Sequence, residues 1–132
     1  MILYLNLCQP VNKTNGLRNL IDQKMPGNMQ ALYNIEDLQK RIQGPTFNID
    51  IVIIHVGADS PIHQLLEFKN DLKDLSVVLV LHNVTSDKDI DKLLKLYPRY
   101  MTFGDDYHTI ISVLENRLAF KKRQLKNRHD SA

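Results

Sequence analysis

A single cysteine, Cys8, stands among 132 residues. No internal disulfide can form, which fits a reducing, cytoplasmic setting. No apolar run approaches the roughly 18–20 residues needed to span a bilayer. The apolar start Met1-Ile2-Leu3-Tyr4-Leu5 lacks a basic flank and a small-residue cleavage site, so it reads as a strand rather than a signal peptide. Signatures of common chemistry are missing too. There is no glycine-rich phosphate loop, no G-x-S-x-G, no C-x-x-C and no H-E-x-x-H. These absences argue against P-loop nucleotide enzymes, nucleophile-elbow hydrolases, thioredoxin-like redox proteins and zincin proteases. Internal repeats and low-complexity segments are also absent.

What is present describes one ordinary globular domain. Hydrophobic residues make up 43% and charged residues 24% of the chain. The net charge of +2 is unevenly placed. After Phe120 come Lys121, Lys122, Arg123, Lys126 and Arg128 against Asp130 alone, which leaves 12 basic and 14 acidic residues in the body. The positive excess belongs to the tail, read here as a solvated helix end or a linker. Residues 1–118 form the expected domain and 119–132 a basic helical extension or linker. The tyrosines lack the interleaved basic residues of a nucleic-acid stacking platform, so nucleic acid is not an expected partner.

Five short apolar runs punctuate the chain: Ile2–Leu7, Met29–Tyr33, Ile51–Val56, Val77–His82 and Tyr100–Phe103. The third and fourth are nearly continuous and rich in Val and Ile, as in parallel strands covered on both faces. Helical stripes fall between and after them. They are Leu17/Leu20/Ile21, Ile35/Leu38/Ile42, Ile62/Leu65/Leu66/Leu72, Ile90/Leu93/Leu94/Tyr97 and Ile110/Ile111/Leu114/Leu118. Asn34, Ser60 before Pro61, and Ser86 read as helix N-caps, and Asp105-Asp106 places negative charge at the start of the last helix. Pro26-Gly27, Gly44-Pro45 and Pro98 read as stops. Five β-α units predict a flavodoxin-like (βα)5 three-layer α/β sandwich, with a parallel five-stranded sheet of order 2-1-3-4-5.

In such a fold, chemistry gathers at the C-terminal ends of the strands. There the run Asp50-Ile51-Val52-Ile53-Ile54-His55-Val56 resembles the third strand of bacterial response-regulator receiver (CheY-like) domains, the phosphorelay modules of two-component systems. Tyr100 matches their usual aromatic on strand 5. The resemblance covers residues 1–118. It implies two acidic magnesium ligands after strand 1, an acceptor aspartate ending strand 3, a Thr or Ser ending strand 4, and a Lys-Pro ending strand 5. Each of those positions is changed. His55 stands at the acceptor, Asn6 and Leu7 at the acidic pair, His82 at the hydroxyl residue, and Phe103-Gly104 at Lys-Pro.

Phosphorylating a carboxylate needs Mg²⁺ held by hard oxygen ligands. Asn6 offers one neutral oxygen, Leu7 none, and His55 is a poor magnesium ligand. The expectation is therefore a non-enzymatic pseudo-receiver without cofactor or metal, with a vestigial pocket of Asn6, Leu7, His55, His82 and Phe103. In receivers, the face of helix 4, strand 5 and helix 5 commonly serves dimerisation and output. Here that face would carry Lys88, Asp91, Lys92, Lys95, Arg99, Tyr100, Asp106, Glu115 and Arg117, a mixture of signs suited to a two-fold contact. Two other readings stand beside it. One is a small-molecule or metal sensor around His55 and His82, with Cys8 as a conceivable third ligand. The other is a regulatory domain joined through its C-terminal helix to an effector domain.

Overall fold

A computed structural model describes residues 1–8, 16–46, 48–104 and 107–130, with side chains through residue 119. Its five strands are β1 (Ile2–Asn6), β2 (Met29–Leu32), β3 (Ile51–Gly57), β4 (Val77–His82) and β5 (Tyr100–Phe103). All pair in parallel, in the order β2-β1-β3-β4-β5. The helices are α1 (Gly16–Lys24), α2 (Ile35–Gln43), α3 (Ile62–Leu66), α4 (Lys69–Leu72), α5 (Asp87–Leu94) and α6 (Tyr107–Asp130). The fold is flavodoxin-like α/β, and every strand end falls within one residue of its sequence reading.

Successive residues of a strand point to opposite faces, so odd and even positions sort the chain into two cores. Ile2, Tyr4, Ile51, Ile53, Val78 and Val80 pack with Leu17 and Ile21 of α1 and with Ile110, Ile111 and Leu114 of α6. Leu3, Leu5, Val52, Ile54, Val77, Leu79 and Leu81 face the other way, against Leu38 of α2, Leu65 of α3, Leu72 of α4 and Leu93 of α5. β3 is buried at every residue, which is why its run is apolar throughout except for His55. The edge strands β2 and β5 are shorter and partly exposed.

Local signals hold best at α2. Asn34 Oδ1 accepts the Asp37 N–H at 2.8 Å, and Gly44 closes the helix. Elsewhere the structure departs from the sequence reading. The expected third helix is two short ones. Around Phe68 the backbone tightens, with the Glu67 N–H donating to Gln64 O and the Phe68 N–H to Leu65 O. That turn brings both Leu65 and Leu72 into one core. Ser60 does not cap α3. Its hydroxyl donates to Leu7 O at 2.9 Å and accepts the Gly57 N–H at 2.8 Å, tying the end of β1 to the end of β3. Ser86 occupies the N-cap position of α5 but makes no side-chain cap bond. Asp105-Asp106 lies outside the described residues. α6 passes position 118 as continuous helix, so the two sequence segments share one element.

Candidate functional site

Alternation sends Asn6, His55 and His82 to the face covered by α1 and α6. Asn6 pairs with His55 across β1–β3, and His82 pairs with Gly57 across β3–β4. His55 is fully buried. Its Nδ1 and the Tyr4 hydroxyl share a hydrogen bond of 3.0 Å. Three rings stand edge-on around the imidazole, with centroids at 6.4 Å for Tyr4, 6.2 Å for His82 and 6.4 Å for Tyr107. These are favourable T-shaped contacts. Tyr107 comes from the first turn of α6, so β1, β3, β4 and α6 all meet at this histidine.

The surroundings keep the neighbouring acids protonated. Burial, reinforced by Tyr107 and Cys8, holds the Tyr4 hydroxyl well above its ordinary pKa. Burial also pushes the Cys8 thiol up to about 11. A thiol so shifted is a poor nucleophile at neutral pH.

At the end of β1, Asn6 Oδ1 accepts the Cys8 N–H at 2.9 Å, an Asx-type turn that puts this oxygen to internal use. Cys8 lies against Gly57, where a Cβ would sit 3.3 Å from its Sγ, so this close approach favours glycine. Leu7 and Phe103 do not join the other three residues of the expected pocket. Leu7 packs on the opposite core. Phe103 shares the side of β5 that Met101 takes and is 54% exposed. Period two separates them from Asn6, His55 and His82, although all five lie near strand ends. Among the described residues, no group of three or more His, Cys, Asp or Glu converges as a metal site would require.

Tyr4 and Tyr107 are the site residues to which the sequence reading gave no place in the pocket. Tyr4 was legible in principle. It precedes Asn6 by two and so shares its face, beside the strand carrying His55. Tyr107 had no such signal, because strand alternation does not report how α6 is rotated.

On the surface, Lys88, Asp91, Lys95, Arg99, Glu115 and Arg117 are exposed. Lys92 instead leans on α3, with Nζ 3.5 Å from His63 Nε2. Tyr100 is half-buried against the α1/α6-side core. Asp106 lies outside the described residues. Three large apolar side chains accompany these charges: Leu94 at 46%, Tyr97 at 74% and Phe103 at 54% exposure. The sequence reading had placed Leu94 and Tyr97 in a core stripe. Instead Leu93 and Leu96 fill the core. Tyr97 lies past the end of α5 with φ 54°, a left-handed conformation uncommon for a bulky residue.

No family model matches the chain, and no curated protein matches it. No helix among the described residues is long and apolar enough to cross a membrane.

Proposed function

We propose that this chain is a phosphorylation-independent signalling and interaction module, similar to a receiver domain, that pairs with a second copy through α5, β5 and α6. The burial of His55 carries this reading. The side chain in the acceptor position is fully enclosed and bonded to Tyr4, with neutral Asn6 beside it across the strand pair. A buried imidazole so placed serves packing and polar satisfaction rather than phosphoryl transfer.

Activity then belongs to the surface. Among the described residues, β5 is an edge strand pairing only with β4, and exposed Leu94, Tyr97 and Phe103 lie on it and on the α5 segment before it. Open strand edges and exposed apolar patches are places where proteins associate. The surrounding charges have both signs, so a two-fold axis can set Lys88, Lys95, Arg99 or Arg117 opposite Asp91 or Glu115 of the other copy.

Sedimentation equilibrium tests the pairing. The chain should form a dimer, and Phe103→Asp, which adds charge at an exposed position, should shift it toward monomer while leaving the circular dichroism unchanged. A monomeric parent chain, or a variant that dimerises equally well, would overturn the pairing. Beryllofluoride with Mg²⁺ should leave amide resonances around His55 unmoved. A localised response there would overturn the phosphorylation-independent reading.

A further inference from the structure

A second feature lies at the opposite end of the strands from His55. A cleft of about 210 Å³ is lined by Ile51, Ser76, Val78, Arg99, Val113 and Arg117. Its floor is apolar, since Ile51 and Val78 belong to the core and each is 2% exposed. Val113 and Arg117 are one turn apart on α6, so one helix face supplies both an apolar wall and a cation. Arg99 is held at the start of β5 by its backbone, whose N–H donates to Val77 O at 2.8 Å. Both arginines are exposed, and neither guanidinium has a hydrogen-bond or ion-pair partner among the described residues. Among the described residues, the lining includes no carboxylate.

We infer that this cleft binds a small amphiphilic carboxylate, one with a compact apolar body and a single anionic head. Two guanidiniums beside one cavity repel each other, and a carboxylate shared between them removes that repulsion while accepting forked hydrogen bonds. The apolar floor takes the body of the molecule, and Ser76 adds a polar residue to the lining. The volume falls below the roughly 300–1,000 Å³ of drug-sized sites, which limits the body to about one ring or a short branched chain. A bare inorganic anion would leave the floor unused, and a neutral aromatic would leave the arginines unused.

The test is a titration of the full chain with benzoate, benzyl alcohol and inorganic phosphate, followed in amide and methyl spectra. Benzoate should shift the Val78 and Val113 signals saturably and more strongly than either control. Arg99→Gln and Arg117→Gln should each weaken benzoate by about tenfold, the scale of one charge-assisted hydrogen bond. Equal binding of benzyl alcohol, equal effect of phosphate at the same residues, or unchanged affinity in both variants would overturn the assignment. Parallel titration of Phe103→Asp keeps the result separate from self-association: that variant should bind benzoate at least as tightly as the parent chain, because a pairing that engages Arg99 or Arg117 competes with the ligand for them.

Discussion

His55 brings a polar, ionisable ring into a strand that is otherwise entirely aliphatic apart from Gly57. Burying such a group costs free energy unless it is hydrogen-bonded, and Tyr4 supplies that bond from the neighbouring strand. Tyr4→Phe should therefore destabilise the fold by about 1–3 kcal/mol. His55→Leu in the same background should cost less than the sum of the two single changes, because it removes the polar atom that Tyr4→Phe exposes. Urea unfolding of the four proteins in this cycle measures the coupling, and strict additivity would show that the bond carries nothing. Cys8 gives the second prediction at this scale. Its thiol pKa is raised in the folded state from the ordinary 9.0 to about 11 by burial. The folded form thus favours the protonated thiol. That contribution is intact below pH 9.0 and is lost as the pH climbs through about 11. Cys8→Ala should flatten the decline in urea midpoint over this window, leaving the part due to Tyr4, whose shift has the same sign.

At the scale of elements, α5 shows how a regular pattern misleads at a helix end. Leu94 follows the buried Leu93 by one position, a step of about 100° around the axis, which carries it off the core face. Tyr97 comes after the helix, where its N–H donates to Leu94 O and Pro98 blocks continuation. The left-handed backbone at Tyr97 costs about 1–2 kcal/mol in a residue with a side chain, whereas glycine adopts it freely. Tyr97→Gly should therefore leave the monomer as stable or up to about 1 kcal/mol more stable, after the entropy that glycine gains when unfolded. The same change should weaken self-association, because it deletes one of the exposed apolar side chains on the proposed contact. Thermal unfolding of dilute protein and sedimentation of concentrated protein separate the two effects. A loss of stability with association intact would count against both arguments.

For the whole molecule, pairing through α5, β5 and α6 predicts a thermal midpoint that rises with protein concentration, since a dimer is favoured by mass action and its unfolded chains are not. A midpoint that does not move would place the folding unit in the single chain. The architecture itself was legible because it rests on local rules. Runs such as Ile51–Val56 and Val77–Leu81 announce doubly covered strands, Asn34 and Gly44 bound a helix, and five β-α units admit few right-handed arrangements. Period two also foretold which residues of one strand share a side, and with it that Leu7 faces away from Asn6, whereas setting Phe103 apart from His82 needed the register between β4 and β5. Contacts between elements had no such code. The approach of Tyr107 to His55, the turn of Lys92 toward His63, the outward rotation of Leu94 and Tyr97, and the cleft between β4 and α6 depend on how each helix is rotated and tilted on the sheet. Side-chain packing over long sequence separations sets those angles. Strand order thus follows from hydrophobic periodicity and chain connectivity, whereas the surroundings of His55 and the surface offered to partners arise only when the helices close over the sheet.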